Sequence, residues 1–359
     1  MKVIAYLTEP ASYTLDLVKC VHLPNNIDYS FIFDSSYTKP KVNEKANSYT
    51  FLNRLSPTKR FKVLKDDYIQ YDAIIFNGYD SASFLLLWFV HYFSKVKKPI
   101  AIESDTPLKI PANLVKRLVK KWYLNILFSN PYLHGLAGGN NSQKELFRYY
   151  GMSSDRIHFL PMVIDVNQFK YEPSRKRRNK FTFLFVGRFI PLKQIELIIK
   201  EFLLKFQDNL EVNLILVGDG ISFPMIYEKY SRFKNILFKG SLFDEDLKKE
   251  FELAHVLVLA SNNENWGLVM NEAMSASLPI LSNIGIGGNH DLIDGKNTGL
   301  IFDANVKGDL SEKMNTIYED KDLYEMYSKN AYDLMHNYWN FNLYANQLKL
   351  AISKMTNEK

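Results

Sequence analysis

A single cysteine, Cys20, stands among 359 residues, which excludes an internal disulfide and fits a reducing compartment. No apolar run approaches the ~20 residues needed to cross a bilayer. The most apolar stretch, Ser83–Phe93, falls well short and reads as a helix packed against a sheet. The opening Met1-Lys-Val-Ile-Ala-Tyr-Leu7 is too short for the apolar region of a signal peptide and reads as a first strand, so no secretion is expected. No His/Cys cluster has metal-ligand spacing, there is no paired-Asp signature, and no metal is expected. The phosphate-loop spacing G-x-x-x-x-G-K-[ST] is also missing. Neither charge sign dominates. A net charge of +6 and a pI near 8.9 leave a mild basic bias that favours an anionic partner without naming it.

What is present is a long alternation of strand and helix patterns. The chain exceeds the usual ceiling for one hydrophobic core, so two domains are expected. Strands are predicted at Val3–Leu7, Tyr29–Phe33, Phe61–Leu64, Ala73–Phe76 and Ile100–Ile102, with helices near Ser83–Val96, Asn113–Tyr123 and Ser142–Tyr150. In the second half, strands are predicted at Phe181–Val186, Val212–Val217, Ile236–Phe238, Val256–Ala260, Ile280–Ser282 and Leu300–Phe302, with helices between. Only helices follow, the last at Phe341–Lys354 and long enough to return to the first domain. The alternation implies two parallel α/β sheets, each with its ligand edge at the strands' C-terminal ends and the largest cleft between the domains.

Two basic clusters divide in meaning. Arg175-Lys-Arg-Arg178 lies in Tyr171–Lys180, a stretch that reads as a solvated interdomain linker; as a nucleic-acid patch it lacks interleaved aromatic stacking residues. Between Pro111 and Phe128, Lys116, Arg117, Lys120 and Lys121 fall on one helical arc. Leu114, Val115, Leu118, Val119, Trp122, Tyr123 and Ile126 fall on the other. This basic amphipathic helix, 113–128, either lies on an anionic membrane surface or turns its apolar arc to its own sheet.

The chemistry gathers where strands end. Val186-Gly-Arg-Phe-Ile-Pro-Leu-Lys-Gln194 puts Arg188 and Lys193 five positions apart at a strand-to-helix turn, as a diphosphate requires, although loop cations are more often simply solvated. Gly218-Asp-Gly220 follows the next strand and Lys239-Gly-Ser-Leu-Phe-Asp244 the third, with Asp244 a plausible helix N-cap. Ser261-Asn-Asn-Glu-Asn-Trp-Gly-Leu then turns into a helix carrying Glu272. Glu264 and Glu272, eight apart, face one side if the helical phase begins at the loop's end, and would suit a ligand with hydroxyls at two points. They serve equally well as a helix-dipole partner and a solvated helix residue. His255 reads as a packed histidine.

The ordered set F-V-G-R-F-I-P-L-K, L-V-G-D-G, F-K-G-S-L-F-D-E-D-L, L-A-S-N-N-E-N-W-G-L-V-M-N-E-A-M and L-P-I-L-S-N, then Asp291 and T-G-L-I, resembles the donor domain of family 4 retaining glycosyltransferases. Residues 151–169 are similar to that family's interdomain signature. The resemblance implies a GT-B fold of class α/β, in which two Rossmann-like parallel-sheet domains face each other across a cleft. The segments would be 1–170 (acceptor-binding), 171–180 (basic linker), 181–340 (donor-binding) and 341–359 (a helix returning to the first domain). It implies a nucleotide-diphosphate sugar as co-substrate, no cofactor and no metal. Arg188 and Lys193 match the diphosphate pair, and Gly187 belongs to their loop. Glu264 and Glu272 match the two acids of the E-x7-E motif, the first near the donor sugar and its phosphate, the second on the ribose hydroxyls. Asn265, Trp266, Gly267 and Leu268 would line the donor, the last three through helix-terminal amides, and Leu242 the base.

The first domain departs from that pattern. Leu7 is followed by Thr-Glu-Pro-Ala-Ser12 instead of a Gly-Gly loop, and Glu103-Ser-Asp105 stand where the family often has a His. Glu103 or Asp105 would then orient an acceptor hydroxyl or accept its proton, unless they cap the turn before Pro107. The implied activity is retaining transfer of a hexosyl unit from a UDP- or GDP-sugar to a glycan or lipid-linked acceptor in cell-envelope assembly, in the cytoplasm or on the inner face of the membrane. A binding module without transferase activity would share every donor motif. A nucleic-acid-binding protein would use the basic linker instead.

Overall fold

The computed structural model describes residues 1–34, 50–175 and 177–357. The chain forms two compact units, Met1–Asp165 with Phe341–Lys359, and Val166–Asn340. In the first, strands β1 (Val3–Leu7), β2 (Ile27–Phe31), β3 (Ala73–Asn77), β4 (Ile100–Ser104), β5 (Leu133–Ala137) and β6 (Ile157–Phe159) pair in parallel in the order β2-β1-β3-β4-β5-β6. In the second, β7 (Phe181–Val186), β8 (Val212–Val217), β9 (Ile236–Gly240), β10 (Val256–Leu259), β11 (Ile280–Asn283) and β12 (Gly299–Phe302) pair in parallel in the order β12-β11-β10-β7-β8-β9. Central strands such as V-L-V-L of β10 are buried on both faces, which is why they read as unbroken apolar runs.

Three sequence expectations are corrected. Phe61–Leu64 is not a strand but part of the helix Pro57–Gln70; Ser56 caps it by accepting from the Lys59 N–H, Pro57 occupies its first turn, and Leu64 and Tyr68 bury one face at i, i+4 spacing. Strands β5 and β6 went unrecognised because His134 and His158 interrupt their apolar patterns. Both rings are buried and stacked, with 3.2 Å between Nδ1 of His134 and Nε2 of His158. The 171–180 stretch is not a solvated linker. Arg175 Nε donates to the Glu252 carbonyl at 2.6 Å, Arg177 to Ser328 Oγ at 3.0 Å, and Arg178 to Glu250 at 2.6 Å, so these cations are half-buried in the second unit. Lys176 lies outside the described residues.

Helix Leu114–Phe128 buries only Leu124, Leu127 and Phe128. Its apolar arc therefore does not turn to its own sheet: Leu114, Val115, Leu118, Val119, Trp122 and Ile126 are exposed. Among the described residues no helix is long and apolar enough to cross a membrane. The last helix, Phe341–Asn357, belongs to the first unit and buries Tyr344, Leu348, Ala351 and Met355.

The turn from that exposed helix into β5 is held by one buried guanidinium. Arg156 donates from Nη1 to the Leu133 carbonyl at 2.6 Å and to that of Asn130, and from Nη2 to the Phe128 carbonyl at 3.1 Å. Arg156→Leu strands three inward carbonyls and is expected to cost about 3 kcal/mol or more. Arg156→Lys, a point charge without the planar fork, should recover less than half. Urea midpoints of the three proteins check this.

Candidate functional site

Loops at the carboxyl ends of the second sheet lie against one another by backbone. The Gly187 N–H donates to Val217 O at 3.0 Å, Phe189 N–H to Asp219 O at 2.9 Å, and Gly218 N–H to Gly240 O at 2.7 Å. A Cβ at Gly218 would fall 1.9 Å from the Gly187 carbonyl oxygen, so only glycine permits this approach. After Arg188, which is exposed, the chain makes a 3₁₀ turn at Pro191–Lys193 and leaves it through Gln194 in the left-handed region, φ +49°. Helix Ile195–Phe206 follows.

That turn meets the loop after β10. The Asn262 N–H donates to Leu192 O at 3.3 Å, and Lys193 Nζ lies 2.6 Å from Glu264 Oε1, with side chains only 14% and 20% exposed. The second carboxylate oxygen, Glu264 Oε2, is buried and has no hydrogen-bond partner among the described residues. A buried acceptor left unmatched is uncommon enough to need a reason.

Glu264 precedes the helix Leu268–Ser275, whose N-cap is Gly267 in the left-handed region (φ +94°) with no side-chain cap. Glu264 is therefore outside the helical phase, and the eight-residue spacing to Glu272 is not a shared helical face. Trp266 points into the fold: it is 2% exposed, donates from Nε1 to Asn271 Oδ1 at 2.9 Å and stacks on Trp339 with centroids 5.6 Å apart. It offers a ligand its backbone only. Asn265 and Leu268 are half-buried at the same loop.

The support for this loop is what sequence reasoning missed. Residues 284–288 run beside it: Glu264 N–H donates to Gly285 O at 3.4 Å, Gly287 N–H to Glu264 O at 3.0 Å, and Gly288 N–H to Trp266 O at 3.2 Å. A Cβ at Gly285 would lie 2.3 Å from Asn262 O. Buried Asn283 donates to Ser261 O at 3.1 Å, and buried Asn289 holds Asn283 O at 2.7 Å. The signal was present as Asn283-Ile-Gly-Ile-Gly-Gly-Asn289, where glycines alternate with buried amides.

Glu272 stands within the helix, retains part of its exposure, and is pushed up to about 7 by desolvation alone. Leu242 is half-buried beyond β9. Asp244 is not the N-cap of the helix it precedes: Phe243 holds that place with no side-chain bond, and Asp244 is the first helical residue. His255 is packed, accepting at Nδ1 from the Thr182 N–H at 3.1 Å and stacked on Phe181.

In the first unit, Glu103 is the last residue but one of β4. With its amide nitrogen turned inward, Asn77 donates to Glu103 Oε2 at 3.1 Å and to Tyr6 O at 3.3 Å, while Tyr344 Oη donates to Glu103 Oε1 at 3.4 Å. Desolvation pushes the Glu103 carboxyl up to about 7; the Tyr344 hydrogen bond opposes this and the Asp105 charge adds to it. In the turn before Pro107, Ser104 Oγ accepts from the Thr106 N–H at 3.1 Å. Among the described residues no group of three or more His, Cys, Asp or Glu side chains could hold a metal ion.

Residues 167–334 match the family model of glycosyl transferases group 1. The D-inositol 3-phosphate glycosyltransferase of Paenarthrobacter aurescens is 25% identical over 190 residues, 49% of this chain and 46% of that protein. The alpha-monoglucosyldiacylglycerol synthase of Acholeplasma laidlawii is 28% identical over 160 residues, 43% of this chain and 39% of that protein. The chain thus spans less than half the length of these relatives. The structure of Anabaena HepE in complex with UDP shares the fold, with a TM-score of 0.77, 16% identity, and coverage of 98% of this chain and 99% of that one. Residues 167–334 thus resemble glycosyl transferases group 1, and the two parallel-sheet units have the GT-B fold.

Proposed function

We propose that the protein is a retaining, metal-independent glycosyltransferase that moves a hexosyl unit from a nucleotide-diphosphate sugar to a hydroxyl of a glycan or lipid-linked acceptor in cell-envelope assembly, working from the cytoplasmic side. The observation that carries this reading is the half-buried Lys193–Glu264 pair, with its unmatched Glu264 Oε2, at the edge where Arg188 and the uncapped helix Leu268–Ser275 also begin. An ammonium, a guanidinium and helix-terminal amides that no side chain caps suit a diphosphate, and an unmatched carboxylate oxygen suits a sugar hydroxyl. Glu272 accepts from the ribose hydroxyls. UDP is the first nucleotide to test because HepE was solved with UDP and with UDP-glucose, and GDP is the second. A lipid-linked acceptor is in keeping with the name of the diacylglycerol-directed relative.

In the proposed reaction the bond between the anomeric carbon and the diphosphate oxygen breaks as the acceptor oxygen bonds to the same face. The acceptor proton passes to the departing diphosphate, whose growing charge Arg188 and Lys193 stabilise. Glu103, whose carboxyl sits near 7, or Asp105 two residues on, orients the acceptor hydroxyl.

Removing one such charge partner should lower turnover by roughly 10²–10³-fold. Lys193→Ala should do so, and Glu272→Ala, which removes the ribose acceptor, should also lower turnover strongly, both with circular dichroism unchanged, read as sugar release across a labelled UDP- and GDP-sugar panel with and without membrane extract. Near-normal turnover in both sinks the assignment. A ligand-induced rise in melting temperature with UDP or GDP but no transfer would return the chain to a binding module.

The raised Glu272 carboxyl adds a pH test. Its value is 4.5 when unperturbed and about 7 in the fold. Folded stability is therefore fully present below about 4.5 and declines as pH rises through about 7. Glu272→Gln should flatten that decline in melting temperature and exceed the wild type near pH 8, while Glu103, shifted the same way, leaves a residual slope. Nucleotide affinity should run oppositely: it improves through pH 7 as the carboxylate forms, and is weak and flat in Glu272→Gln.

A further inference from the structure

In the first unit, β3, β4 and β5 are consecutive neighbours in one parallel sheet, joined through the helices Ala82–Phe93 and Leu114–Phe128. Right-handed crossovers put both helices on the same face of that sheet. Their inner sides share one core, with Phe84, Leu87 and Val90 from the first and Leu124, Leu127 and Phe128 from the second. Their outer sides are not polar. On the first, Phe89, Tyr92 and Phe93 are exposed, Phe93 by 67%, with ring centroids of Phe89 and Phe93 4.5 Å apart, and Val96 follows. On the second, every residue from Leu114 to Val119 is exposed, as is Trp122 at 69%. A surface helix of a soluble domain ordinarily buries its apolar stripe and shows water its polar one.

The charge around these side chains selects an occupant. From Ser81 to Phe128 the chain carries eight Lys and Arg (Lys95, 97, 98, 109, 116, 120, 121 and Arg117) against two carboxylates, Glu103 and Asp105. Both carboxylates sit at the end of β4 and not on either helix. Lys97 and Lys98 are turned onto backbone carbonyls and Arg117 reaches that of Pro111 while remaining exposed, whereas Lys116 and Lys121 stand exposed among the apolar residues. Aromatic and aliphatic side chains interleaved with cations, and no acid between them, match the head-group boundary of an anionic bilayer.

We propose that these two helix faces together are a docking surface for an anionic lipid bilayer. Because helices run antiparallel to the strands they follow, Leu114–Val119 lie toward the carboxyl edge of the sheet, where Glu103 and Asp105 also lie. A bilayer held there stands beside the acceptor edge, so an acceptor can be met while its tail remains in lipid. That last consequence rests on the glycosyltransferase reading; the docking does not.

The test is co-sedimentation of the full chain with vesicles of phosphatidylcholine alone and of phosphatidylcholine with about one-third phosphatidylglycerol. Partitioning onto the anionic vesicles should exceed that onto neutral ones by at least about tenfold and weaken in high salt. Trp122→Ser with Leu118→Ser, and separately Phe93→Ser, should each lower it about tenfold or more. These sites are exposed, so circular dichroism and nucleotide-induced thermal shifts should be unchanged. The triple change Lys116→Gln, Arg117→Gln, Lys121→Gln should abolish the anionic preference. Equal partitioning onto both vesicle types, or variants that bind like the wild type, overturns the proposal. A dimer that Trp122→Ser disperses, with no vesicle binding, assigns the face to a second copy and overturns it as well. No arm reads turnover, so a failed transferase assay leaves this result standing.

Discussion

The candidate site depends on backbone touching backbone at the carboxyl edge of the second sheet. Neighbouring parallel strands end in loops whose amides and carbonyls pair across the gap, and Gly218 approaches Gly187, and Gly285 approaches Asn262, to distances no Cβ allows. That approach draws the Pro191–Lys193 turn onto the loop after β10 and sets Lys193 against Glu264. The ion pair follows from the packing and does not create it. A half-buried pair of this kind gains from being shielded from water but must hold its geometry to offset lost solvation, and rigid neighbours provide that.

Desolvation without full compensation recurs in both units. Glu272 is pushed to about 7 with nothing opposing the shift, and Glu103 reaches about the same value although Tyr344 opposes it. Burying a carboxyl unmatched is costly, and a fold keeps such groups where a ligand's hydroxyls can repay the loss. The two cases differ in freedom. Glu103 is held by Asn77 and by Tyr344 from the last helix, so its orientation is built in, whereas no side-chain hydrogen bond holds the Glu272 carboxyl among the described residues.

The second unit was the more legible half because its strands are apolar on both faces and its loops carry glycine and charge at fixed places. Every strand from β7 to β12 was recognisable to within about two residues. The first unit hid two strands behind buried histidines and disguised a helix, Pro57–Gln70, as a strand, because Phe-Lys-Val-Leu satisfies a two-residue period as well as a helical one. The Lys193–Glu264 contact was beyond reach: both residues were identifiable, but no spacing rule reports a pairing across 71 positions. Arg175 and Arg177 were misjudged for a related reason, since a run of cations looks solvated until carbonyls distant in sequence are known to receive it.

Helix 114–128 shows the limit of periodicity in its plainest form. Its pattern established that one arc is apolar but not what covers it, because a stripe meant for a sheet and a stripe meant for lipid have the same period. Depth of packing separates them. Leu124, Leu127 and Phe128 in the last turns fill the core, together with Phe84 and Leu87 of the neighbouring helix, while the first turns are exposed around their whole circumference. A helix whose core-facing work is done by its final turns is free in sequence over its first ones, and water alone would favour polar residues there. Leucine, valine and tryptophan between lysines are instead the composition that a charged, partly apolar boundary selects.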